Sequence, residues 1–161
     1  MGQVVSDTTP VSTLAEMGFI HLLPVLFGQV VVPPEVVREL KHPDAPIQAR
    51  LLIDNPPSWI AIQPPRRTAH FPGIHAGESA AIQLAIEHHA RLIIDDRKGR
   101  DYAERLGIGI VGTVGVLEIA ADRGIIPDLA FVHQALRRTS FRVSDDVLNA
   151  SLARHMSRKM H

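Results

Sequence analysis

The chain predicts an α/β fold in which a central parallel sheet is covered by helices on both faces. Three observations carry this. Short β-branched runs alternate with segments of helical period along the 161 residues, as in parallel strands joined by helical crossovers. Proline, glycine and hydroxyl residues punctuate the boundaries. The length suits a single domain, residues 1–161, with a real hydrophobic core. Apolar residues make up 45% and charged residues 21%, which excludes a disordered or fibrous chain.

Taken in order, QVVS (3–6) reads as a buried strand. Thr9 and Pro10 then supply an N-cap and a first helical position for a helix to about Met17, stopped by Gly18. FIHLLPVLF (19–27) predicts a second short helix closed by Gly28, and QVVV (29–32) a second strand. Pro33 and Pro34 open PPEVVRELK, where Val36, Val37 and Leu40 share an apolar face. A further helix is expected at 46–53, and WIAIQ (59–63) is the next extended run.

PPRRTAHFPGIHA (64–76) is the most loop-like stretch. GESAAIQLAIEHHA (77–90) predicts a helix and RLIID (91–95) a strand ending in carboxylates. DRKGRDYAERLG (96–107) follows as a helix with Gly107 as its stop. IGIVG (108–112) is a strand, and TVGVLEIAADRG (113–124) a helix with Thr113 as its cap. Residues 126–138 and 144–156 read as helices with FRV between them as an edge strand. The tail, from 155 on, is expected to fray.

Several function classes are excluded or demoted at this level. Net charge is zero with His neutral, so no global basic field advertises nucleic acid. The absence of Cys removes disulfides and thiolate metal sites. No apolar run approaches the ~20 residues of a membrane span, and no basic leader precedes the first apolar run; a soluble cytoplasmic protein is expected. GIGIVG (107–112) matches the letters of the dinucleotide fingerprint, but its glycines bracket a strand where that motif must open a helix. There is no Walker loop and no nucleophile elbow. His70 and His75 lack the helical i, i+4 spacing of a metal pair. His88 and His89 suit the last turn of a helix through the macrodipole.

The carboxylates form a different pattern. Asp7 ends the first strand, and Asp95 and Asp96 end RLIID, so a parallel sheet puts them on one edge. That is where ligands gather in open α/β sheets. Glu39 lies beside the inward face marked by Val36 and Leu40, and Glu78 sits in a helix first turn. Singly, each carboxylate is explained by capping or surface. Together they make an acidic pocket whose repulsion a hard cation relieves, since Mg²⁺ and Mn²⁺ prefer oxygen ligands. Such a site suits phosphoryl transfer.

The ordered set VVSDTTPVSTL, VVVPPEVVREL and AGESAAIQLAIEHHARLIIDDRKGRDYAERLGIGIVGTVGVL, roughly residues 4 to 125, resembles the PIN-domain ribonucleases. The likeness is strongest to the VapC-like toxins and a related bacterial and archaeal branch. The resemblance implies a PIN-like three-layer sandwich, a pocket holding Mg²⁺ or Mn²⁺, and cleavage of RNA. Its acidic positions fall on Asp7, Glu39, Glu78 and either Asp95 or Asp96; many VapC toxins have Asp where Glu78 stands. Thr9 matches a small hydroxyl residue that helps hold a metal-bound water. The resemblance also implies a small antitoxin as partner and a homodimer, with the helices at 10–27 and 34–53 as contact surfaces.

RNA binding asks for cations near the pocket. Arg97, Lys98 and Arg100 follow the carboxylate pair directly. Arg66 and Arg67 either close over the site or belong to solvated surface. Aromatics are only 4%, so phosphate and shape contacts should dominate over base stacking. The rival is a non-catalytic PIN-like module that binds RNA or protein. A small phosphatase is weaker, because Thr9 stands where its second Asp belongs.

Overall fold

A computed structural model describes residues 3–161. Five strands form one sheet: β1 (Val4–Ser6), β2 (Val30–Val32), β3 (Ile60–Ile62), β4 (Arg91–Ile93) and β5 (Ile110–Val111). Their order is β3-β2-β1-β4-β5, and every neighbouring pair is parallel. The sheet therefore grows outward from β1 in one direction through β3, then resumes on the other side with β4. The reversal falls between β1 and β4, which makes their carboxyl ends the topological switch point where open α/β sheets bind ligands.

Nine helices connect and cover the sheet among the described residues: α1 (Thr8–Met17), α2 (Leu22–Phe27), α3 (Pro34–Leu40), α4 (Ile47–Asp54), α5 (Ala76–His88), α6 (Arg97–Arg105), α7 (Thr113–Asp122), α8 (Leu129–Arg137) and α9 (Asp145–Lys159). Alternation along the strands feeds two cores. Val4, Val30, Val32, Ile93 and Val111 face helices α1–α4 and α7–α9. Val5, Val31 and Leu92 face α5 and α6 through Ile82, Leu84 and Ala103. This is the three-layer α/β sandwich with a parallel central sheet that the sequence predicts. No helix among the described residues is long and apolar enough to cross a membrane.

Four local expectations are corrected. Helix α1 begins at Thr8 with Asp7 at the N-cap position; Thr9 is already inside the first turn, which proline tolerates as well. Thr113 is the first residue of α7, not its cap, and Gly112 precedes it. FRV (141–143) pairs with no strand, although its alternation is real, because Phe141 and Val143 pack on the larger core. The frayed tail is helical to Lys159, with His155 buried and its Nδ1 2.8 Å from Asp122.

Helix stops behave as the sequence implies. Gly18 and Gly107 adopt left-handed φ of 79° and 77° where α1 and α6 end, a conformation glycine enters without steric cost.

Candidate active site

Strand β1 ends on Asp7 because the chain turns directly into α1 there. The Asp7 amide donates to the Ile93 carbonyl at 3.0 Å, so the carboxylate emerges at the junction of β1 and β4. Asp7 is only 5% exposed, and its Oδ1 is buried without a hydrogen-bond partner. Burial, above all, pushes its carboxyl up to about 7; the Thr8 amide pulls the other way, while Glu39, Asp95 and Asp96 add like-charge repulsion.

Glu78 reaches the same hollow from the first turn of α5. Its Oε2 is likewise buried and unpartnered. Burial and a hydrogen-bonding approach to Asp96, followed by repulsion from Asp7, Asp96 and Glu39, raise its carboxyl to about 8. Gly99 at the start of α6 makes this possible, since a Cβ there would stand 2.6 Å from Ile94 Cδ1 and 3.3 Å from Glu78 Oε2.

The two aspartates after β4 divide their work. Asp95 is gripped by Thr113, whose amide donates to Oδ1 at 2.8 Å and whose hydroxyl donates to Oδ2 at 2.6 Å. Burial nonetheless raises its carboxyl, with Thr113 and then Arg100 opposing. Asp96 is exposed and caps α6, accepting from the Gly99 amide at 3.0 Å. Both line a hollow of about 430 Å³ together with Asp7, Glu78, Thr9 and Ser12. Glu39 stands just outside that lining, exposed on α3, where it accepts the Thr8 hydroxyl at 2.7 Å.

These are oxygen donors only, and two of them are orphaned and desolvated, which is chemistry that fits a hard divalent cation. Among the described residues, however, no group of three or more His, Asp or Glu is drawn together into a ready metal shell. The carboxylates form a loose acidic pocket.

A family model described as "DUF3368: PIN domain" matches residues 3–157. The chain belongs to this PIN-domain family. Among solved structures, a PilT N-terminus domain protein from the hyperthermophilic archaeon Sulfolobus solfataricus is similar over 89% of this chain and 100% of that chain. The TM-score is 0.53 and the identity 17%, so the likeness is one of fold. No curated protein matches the chain.

The cations of this PIN domain divide into one that turns inward and several that stay exposed. Arg100 turns inward, donating to the Ile94 carbonyl at 3.1 Å. A Cβ on Gly112 would meet Arg100 Nη1 at 2.7 Å and Asp95 Oδ1 at 2.8 Å. Arg100 thus braces Asp95 and the end of β4. Arg97 and Lys98 are exposed. The Arg66 and Arg67 amides donate to Glu87 near the far end of α5. Glu87 lies nine residues beyond Glu78, about 14 Å along the helix, so this anchor lies away from the pocket.

Three features escape the sequence reading: Thr113 as the holder of Asp95, Thr8 as the partner of Glu39, and the segment Ser140–Phe141–Arg142 in the wall of the hollow. The in-out alternation of FRV is the signal that marks Arg142 as outward. The two threonine contacts join separate elements and leave no periodic trace.

Proposed function

We propose that this PIN domain is a metal-dependent endoribonuclease that hydrolyses phosphodiester bonds in RNA. The observation that carries the reading is the pair of buried, unpartnered carboxylate oxygens, Asp7 Oδ1 and Glu78 Oε2, at the switch point of a parallel sheet. Leaving such groups unsatisfied costs free energy, which a cation offsets. Asp7, Glu78 and Asp96 would hold Mg²⁺ or Mn²⁺, with Glu39 and Asp95 adding negative charge around them. Bound there, the cation supplies charge neutralisation and a Lewis acid for the phosphodiester.

The chain's own residues set the rest. Thr113 fixes the rotamer of Asp95, and Thr8 fixes that of Glu39. The hydroxyls of Thr9, Ser12 and Ser140 line the hollow and can donate to phosphate oxygens. With its carboxyl raised to about 8, Glu78 holds a proton at neutral pH until a cation displaces it.

A role as toxin, with a small antitoxin as partner and a homodimer as assembly, is supported by the motif order. Exposed Val25, Ile47 and Leu51 on α2 and α4 add to it.

Incubation of purified protein with RNA and Mn²⁺ should give cleavage that stops with EDTA and is lost in Asp7→Asn and Glu78→Gln. Cleavage that continues in EDTA or in both variants overturns the reading. The absence of a ready metal shell among the described residues favours one alternative, a PIN module that binds RNA or protein without cutting. Wild-type protein that retains RNA but cleaves under no metal condition would establish it.

A further inference from the structure

Beside the acidic hollow lies a larger groove of about 880 Å³ along the free edge of β5. Asp95, Phe141 and Arg142 line both spaces, so the two adjoin and Arg142 stands at the threshold between them.

Its position is fixed by its neighbours. Phe141 and Val143 are packed into the larger core. The Phe141 amide donates to Thr139 Oγ1 at 3.1 Å, and Ser144 Oγ accepts from the Val147 amide at 3.2 Å to start α9. Held on both sides, the segment turns Arg142 outward, where it is exposed.

Of the other basic side chains around the groove, Arg100 and Arg154 are committed, while Arg97 is exposed as Arg142 is. Arg100 is spent on the Ile94 carbonyl, and Arg154 is bidentate to Glu118. The ion pairs among the described residues are made by His42, Arg137, Arg154, His155 and Arg158, and Arg142 is in none of them.

An unpaired arginine at the mouth of a desolvated acidic site attracts an anion that must approach that site, and a phosphate suits its planar fork. Beyond it the groove is lined by Val143, Val147 and exposed Arg97, with Asp101 and Glu104 exposed on the same lining.

We propose that Arg142 grips a backbone phosphate of a single RNA strand at this threshold, and that the strand runs on along the groove beside β5. The assignment rests on the nuclease reading for its substrate but makes a separate claim about the path.

Fluorescence anisotropy of a short labelled single-stranded RNA in EDTA, as a function of salt, tests it. Wild-type protein should bind, and Arg142→Ala should bind about tenfold more weakly, with a salt slope shallower by about 0.7 to 1. Arg142→Lys should keep the slope, and Arg67→Ala, anchored away from the pocket, should match wild type. In Mn²⁺, Arg142→Ala should raise KM more than it lowers kcat. Binding by Arg142→Ala with wild-type affinity and slope, or no binding by wild type in EDTA, overturns the proposal. Arg142-dependent binding without cleavage in any metal would instead overturn the nuclease reading and leave the path intact.

Discussion

The space that a side chain on Gly77 would fill is occupied by the carboxylate of Glu39, whose Oε2 also accepts the Thr8 hydroxyl at 2.7 Å. A glycine in the first turn of α5 therefore lets a carboxylate from α3 approach the end of β1. The same logic recurs at Gly99 beside Glu78 and at Gly112 beside Asp95. Three glycines, in α5, in α6 and between β5 and α7, leave room for three acidic side chains.

Gly77→Ala separates folding from function at this position. Alanine is favoured over glycine in a helix by up to about 1 kcal/mol, and the exposed Glu39 side chain can swing away. Thermal stability should hold or rise, while the Glu39–Thr8 bond is lost and RNA cleavage falls at least severalfold. A variant that cleaves at the wild-type rate would remove Glu39 from the site.

Thr113 offers a test of how Asp95 is held. Thr113→Val deletes a hydroxyl that donates to a half-buried carboxylate, a bond to a charged group worth about 1.5–3 kcal/mol. The melting temperature should fall accordingly, and Thr113→Ser should restore most of it because the hydroxyl returns. A Thr113→Val variant that melts with wild type, while Thr113→Ser does not, would assign the effect to packing of the methyl group.

Much of this was legible in the chain. A charge straight after VVS and another pair after RLII mark strand ends on one sheet edge, since parallel strands share direction. Gly18 and Gly107 announce helix ends through the φ values they adopt. What was not legible depends on side chains meeting across elements. Asp95 and Thr113 lie 18 residues apart, and only the β4–β5 pairing brings them together. Thr113 looked like a cap because local chemistry favours hydroxyls there. Arg100 looked like a surface cation because the Ile94 carbonyl it meets belongs to the end of the preceding strand. The helical tail escaped because SRKMH carries no apolar period, whereas Arg154, His155 and Arg158 reach back to Glu118 and Asp122 on α7.

That contact predicts an acid-sensitive clamp between α7 and α9. Burial would raise the Glu118 carboxyl, but hydrogen bonds from Arg154 and Arg158 outweigh it and hold the group below its ordinary 4.5. Such stabilisation is present above the unfolded value and disappears as pH falls through the folded one. Arg154→Ala should therefore cost about 1–2 kcal/mol near neutrality and almost nothing well below pH 4.5. Melting curves at the two pH values check this, and a deficit that persists in acid would mean that Arg154 stabilises through its apolar stem.

Asp7 carries the opposite sign. Its folded value of about 7 lies above its ordinary 3.8, so the folded state binds a proton more tightly than the unfolded chain. The stability linked to Asp7 is complete below 3.8 and is lost as pH rises through 7; Glu78, raised from 4.5 to about 8, acts the same way over a higher window. Metal-free protein should thus melt at a lower temperature at pH 9 than at pH 6, with both carboxylates charged, buried and unrelieved. Asp7→Asn removes one of these charges. In EDTA it should raise the melting temperature above pH 7 and leave it nearly unchanged in acid, where Asp7 is already protonated. A simple capping role predicts near-neutral substitution at every pH, because Asn caps about as well as Asp. Excess Mn²⁺ sharpens the contrast, since binding stabilises the folded state only to the extent that affinity survives. Wild type should gain more from Mn²⁺ at pH 8 than Asp7→Asn does. If both proteins show the same Mn²⁺ shift and the same pH profile, Asp7 is a helix cap and holds no cation.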